Sequence, residues 1–135
     1  MTRGVHHVGL AVLDLDVTTG FFTDTLGWSL LDRDEGYPRT IVSDGHVMVT
    51  LWQTDCSLDV QAFDRRRNVG LHHLALAVET EAELEALAVK LSARPDVRID
   101  FLPEPLGKGP RRHMMCFEPG GIRLEFIWPG PPPAA

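Results

Sequence analysis

Two stretches hold the residues able to do chemistry. Gly4–Val12 reads GVHHVGLAV, and Gly70–Val78 reads GLHHLALAV, so one phrase with a pair of adjacent imidazoles occurs twice. Near the end, the apolar run IRLEFIW carries a carboxylate, Glu125, at its centre. Burying a carboxylate in such a run is costly unless something satisfies it. A pairing with Arg112 or Arg123 would do so; so would a metal. Two imidazoles and one carboxylate suit a divalent ion and leave coordination positions open for substrate or dioxygen.

Strand parity selects among the histidines, because alternate residues point to opposite faces. Val8, Leu10 and Val12 are bulky, whereas His7 shares its face with Gly9 and Ala11. Leu74, Leu76 and Val78 are likewise bulky, and His73 shares its face with Ala75 and Ala77. Small residues around one imidazole leave a hollow with a ligand at its floor. The expected metal ligands are therefore His7, His73 and Glu125. His6 and His72 have the opposite parity and are expected as strand-edge residues. Any one of the three would by itself pass for an ordinary polar residue; it is their matched places in a duplicated phrase that point to a metal.

These side chains need elements to position them. Each copy reads as strand, helix and three short strands. In the first, Val5–Val12 is a strand, Asp14 or Asp16 caps a helix with a Phe21, Phe22 and Leu26 stripe, and Gly27 stops it. Strands are expected at Trp28–Leu31, Arg39–Val42 and His46–Trp52. In the second, Leu71–Val78 is a strand, and Thr80–Glu83 is a capping box opening a helix up to Ser92. Strands follow at Val97–Phe101, His113–Phe117 and Ile122–Trp128. The fold class is α+β, βαβββ twice in tandem: one domain over 1–128, with modules at about 4–54 and 70–128 and a mobile Pro-rich tail at 129–135.

The 135 residues, 44% of them hydrophobic, suffice for a real core. Nineteen acidic against 13 basic side chains, a net charge of −6, argue against a nucleic-acid or anionic-membrane partner. The basic run Arg65–Arg67 is expected to be a solvated loop. Two cysteines, no apolar leader and no membrane-length apolar run fit a cytoplasmic protein with free thiols.

Three segments in order, HHVGLAVLDLDVTTGFFTDTLGW, HHLALAV and FEPGGIRLEFI, resemble the vicinal oxygen chelate superfamily. That superfamily includes glyoxalase I, fosfomycin-resistance transferases, extradiol dioxygenases and bleomycin-resistance proteins. The resemblance spans roughly Gly4 to Trp128. It implies a cup-shaped mixed β-sheet with helices packed outside, a metal in the cup, and ligands from the first, fourth, fifth and eighth strands. It also implies a homodimer, with the site within one chain or across two. In the fourth strand parity puts Thr50, a poor ligand, where glyoxalase-like members carry a carboxylate or amide. Gln53 would serve there only through a bulge; water is the other candidate. Met115 stands where the transferases and extradiol enzymes carry a tyrosine, and Tyr37 is far away in sequence.

His113, Met115 and Phe117 are expected to share the cup face, with His113 and Glu125 as catalytic residues and His113 as the acid/base. Met48, Thr50, Trp52, Met115, Phe117 and Arg123 would line the substrate pocket. Arg111 and Arg112 are candidates to hold an anionic group at its mouth. The expectation is thus a metalloenzyme using Fe(II), Mn(II), Ni(II) or Zn(II) on a small hydrophobic or aromatic substrate that chelates through vicinal oxygens. The missing fourth carboxylate leans toward dioxygenase or lyase chemistry. The alternatives are a glyoxalase I-like isomerase and a metal-free sequestration protein of the bleomycin-resistance kind.

Overall fold

Both repeated phrases become edge strands, each pairing in parallel with the last strand of its own module. The computed structural model describes residues 1–135. Contacts divide the chain into two compact units, Met1–Ala62 and Phe63–Ala135.

The first unit runs β1 (His7–Val12), α1 (Leu15–Gly20) continuing into a π-helical turn (Phe21–Thr25), β2 (Ser29–Asp34), β3 (Arg39–Ser43) and β4 (Met48–Gln53). Its sheet order is β1-β4-β3-β2. Asp14, not Asp16, is the helix cap, its carboxylate accepting from the Val17 N–H at 3.0 Å. Gln53 completes the helix start: its Oε1 accepts from the Leu15 N–H and its Nε2 donates to the Leu13 carbonyl, both at 2.8 Å. Leu10, Val12, Val42, Val49 and Leu51 are buried on one side of the sheet, with Leu15, Phe21 and Phe22 of the helical segment in the same core. The Thr19 and Thr40 hydroxyls bond at 2.8 Å within it. Gly27, at φ +75°, ends the helical segment where a side chain would be strained.

The second unit runs β5 (Leu74–Ala77), α2 (Glu81–Ser92), β6 (Arg98–Pro105), β7 (Arg112–Phe117) and β8 (Arg123–Trp128). The order is β5-β8-β7-β6. The Thr80–Glu83 capping box forms in full. Leu84, Ala88 and Leu91 of α2 are buried, as are Leu76, Met114, Cys116, Leu124 and Phe126 of the sheet. The turn before β8 closes with the Gly121 N–H donating to the Glu118 carbonyl at 2.7 Å, Gly121 having φ +91°.

The architecture is the expected βαβββ twice, with the eight strands divided between two four-stranded mixed sheets. Boundaries differ in instructive ways. β1 starts at His7 rather than Val5, and β5 at Leu74 rather than Leu71, because pairing begins opposite Met48 and Leu124. His73 therefore stands just before its strand. β6 runs on to Pro105 through two prolines, tolerable because it is an edge strand with register shifts on its paired side. In the tail Gly130 is buried, with Pro110 so close that a Cβ would meet its Cγ at 2.9 Å.

Candidate metal and proton-transfer site

In the second unit the β7–β8 register sets Met115 opposite Glu125, His113 opposite Ile127 and Phe117 opposite Arg123. His113, Met115 and Phe117 thus share one face with Glu125, and β5 adds Ala75 beside Glu125 on its other flank. Glu125 is 6% exposed. Neither arginine that could have paired with it does so. Arg123 gives Nε and Nη2 to Asp100, at 3.0 and 2.7 Å. Arg112 lies on the helix side, paired with Glu81 and Glu85 of α2 and donating to the Pro103 carbonyl. It is therefore no clamp for a substrate.

Two imidazoles satisfy Glu125 instead. His73 Nε2 is 2.9 Å from Oε2, and His113 Nδ1 is 2.8 Å from Oε1. With Nδ1–H donating to the carboxylate, a neutral His113 carries its lone pair on Nε2. That nitrogen points toward Glu104 Oε1, 3.9 Å away, and the ring lies against Phe101 with centroids 4.9 Å apart. His73 also has a partner behind it, His72 Nδ1 at 2.8 Å from its own Nδ1. One of these two nitrogens must donate and the other accept, so the doublet cannot carry two protons at that contact. Partial desolvation, then the charges of His73, Arg123 and Arg65, holds the His72 imidazolium below its ordinary range.

In the first unit His7 is exposed, its Nδ1 2.9 Å from His6 Nδ1 in the same doublet geometry. The β1–β4 register places His7, Gly9 and Ala11 beside Met48, Thr50 and Trp52, the face that parity assigned. That register is unbroken, so Gln53 stays on the opposite face with Val49 and Leu51, occupied at the helix start. Thr50 is occupied too: its hydroxyl accepts from Trp52 Nε1 at 2.9 Å and faces the Val8 carbonyl at 3.5 Å. A Cβ at Gly9 would stand 3.2 Å from that hydroxyl, which accounts for glycine there. Tyr37, remote in sequence, packs on Trp52 with ring centroids 5.1 Å apart.

Imidazoles and a carboxylate are donor types that a divalent cation takes. Glu125 is a buried carboxylate without a cationic arginine, and its two nitrogen partners are imidazoles rather than backbone groups. His73 and Glu125 are paired directly, while His113 addresses the other carboxylate oxygen. No three His, Cys, Asp or Glu side chains form a group arranged to hold a metal ion.

Sequence reasoning missed His72, Glu104, Phe101 and Tyr37 as neighbours of these groups. The repeated HH doublet was a signal for His72. Glu104 and Phe101 gave none, because the register shifts of β6 break the parity that would have placed them.

Two βαβββ units, each with a histidine doublet leading its first strand, define the class. The chain belongs to the Glyoxalase/Bleomycin resistance protein/Dioxygenase superfamily, whose family model matches residues 4–126. Among its relatives is a 2-epi-5-epi-valiolone epimerase from Actinomyces sp, 31% identical, the match covering 91% of this chain and 78% of that protein. Among solved structures, a glyoxylase/bleomycin resistance protein/dioxygenase domain from Frankia sp. EAN1pec superposes with a TM-score of 0.80 at 27% identity, covering 97% of this chain and 100% of that one. The fosfomycin resistance protein FosX of Listeria monocytogenes shares the fold, with a TM-score of 0.72 at 18% identity over 95% of this chain and 94% of that one.

Proposed function

We propose that this protein is a divalent-metal-dependent isomerase that moves a proton at a carbon next to a carbonyl of a small hydroxylated substrate. One observation carries the reading: a buried carboxylate, Glu125, is held between two imidazoles and no arginine. The epimerase relative supports it, since its name describes inversion of one centre in a ketone. His73 and Glu125 are the proposed ligands in the second unit, and His7, on the strength of the repeat alone, the proposed ligand in the first. Several ions, Fe(II), Mn(II), Ni(II) and Zn(II) among them, suit this set. The cation, when bound, supplies Lewis acidity toward a substrate oxygen.

The protein's own part is proton handling. Glu125 fixes the His113 ring through Nδ1–H and leaves Nε2 to accept the proton from one face of the carbon, solvent supplying a proton to the other face to complete the inversion. Met115 and the Phe101 ring beside His113 restrict water there.

The missing fourth-strand carboxylate leaned toward oxygenase or lyase chemistry. A relative above 30% identity over most of the chain weighs more, and isomerisation becomes the leading reading.

The test follows deuterium entry by NMR. Metal-loaded protein incubated in D2O with 2-epi-5-epi-valiolone or with a phosphate ester of it is expected to label the carbon beside the carbonyl. His113→Gln is expected to slow labelling by about 10²–10⁴-fold with metal retained. Glu125→Gln is expected to lose metal and exchange together. Absence of labelling, with oxygen uptake on a catechol instead, would make the protein an oxygenase. Absence of metal after purification without chelator, and no uptake on reconstitution, would make it a sequestration protein.

A further inference from the structure

One rung along β8 from Glu125, on the same face, the structure gathers positive charge that the proposed chemistry does not use. Phe117 stands opposite Arg123 on β8 and opposite Arg98 on β6. The Arg98 guanidinium lies 3.7 Å from the Phe117 ring centroid, and Arg65 approaches the same ring at 5.8 Å. Arg123 is neutralised by Asp100. Arg98 and Arg65 have no carboxylate within ion-pairing distance. In the loop before β5, Asp64 is taken by the Arg66 N–H at 2.9 Å and the Arg67 side chain at 3.4 Å, which leaves Arg65 turned to the ring.

The run Arg65–Arg67 is expected to be a solvated loop; Arg66 and Arg67 are exposed, whereas Arg65 is half-buried and faces the Phe117 ring at 5.8 Å. Stacking on an aromatic face occupies the π surface of a guanidinium and leaves its edge N–H donors free. Two guanidinium groups near one ring, neither ion-paired with a carboxylate, offer N–H donors to an oxyanion.

We infer that Arg65 and Arg98, braced on Phe117, bind an anionic oxygen group of the substrate, a phosphate ester or a carboxylate. Two residues of strand separate this rung from that of Glu125, roughly 7 Å. A group a few bonds from the reacting carbon spans that distance. The inference rests on the isomerase reading only for which carbon reacts; anion binding is measurable without turnover.

The full-length protein is titrated calorimetrically with inorganic phosphate and, separately, with acetate at constant ionic strength. Saturable binding of either is expected, and the tighter of the two names the group as phosphate ester or carboxylate. The double variant Arg65→Gln/Arg98→Gln is expected to weaken it about tenfold. Arg94→Gln, whose guanidinium is paired with Asp96, is expected to leave it unchanged. Should the double variant not fold, Arg65→Gln alone, a loop change, is expected to cost about threefold. No binding of either anion, or variants that bind as tightly as the parent, would overturn the inference. Failure here with deuterium labelling intact would remove the anion site and spare the isomerase.

Discussion

Cys116 and Cys56 show how far place in the fold separates two identical side chains. Cys116 is fully buried on β7; burial, with Glu118 nearby, pushes its thiol up to about 12. Cys56 is exposed. A thiol-reactive dye at pH 8 is therefore expected to label one cysteine in the native protein and the second only in denaturant. The same shift has a stability consequence. The unfolded thiol ionises near its ordinary value of 9.0 while the folded one keeps its proton to about 12. The unfolded chain then binds fewer protons in that interval, so stability is full below pH 9 and falls as pH climbs toward 12. Urea unfolding at pH 8 and pH 10 is expected to show this loss in the parent, and Cys116→Ala is expected to lose less between the two pH values.

α2 and the strands beneath it draw on stabilising terms of different size. Its start depends on the Thr80 hydroxyl accepting from the Glu83 N–H at 3.1 Å, with Glu83 reaching back to the Thr80 N–H. Thr80→Ala is expected to cost about 1 kcal/mol in urea unfolding. Leu84, fully buried one turn further on, is expected to cost about 2–5 kcal/mol when changed to alanine, since a cavity adds to the lost transfer free energy. The capping box, the parity of β1, β4, β7 and β8, and the Gly27 stop were all legible in sequence, because each is a local pattern of a few residues. The extent of β6 and the late start of β5 were not. Those depend on where a partner strand begins to pair.

At the scale of the molecule, both units expose small residues beside their histidine doublets: Gly9 and Ala11 in one, Ala75 and Ala77 in the other. We propose that the protein pairs as a homodimer; sedimentation equilibrium is expected to return twice the 15.0 kDa chain mass. Metal removal is a second whole-molecule measurement. If the cation binds only the folded chain, saturation at a hundred times its Kd is expected to add about 2.7 kcal/mol of stability, read as a higher Tm than after chelation. No helix is long and apolar enough to cross a membrane.

The sequence by itself determined the duplication, the α+β class and which face of each strand carries His7, Thr50, His113 and Glu125, because a period of two and a repeat are properties of order along the chain. Only the tertiary structure decided that His73 and His113, rather than Arg112 or Arg123, satisfy Glu125, and that the Arg65 side chain faces Phe117. Those choices turn on register and reach between strands distant in sequence. Hydrophobic alternation is blind to both.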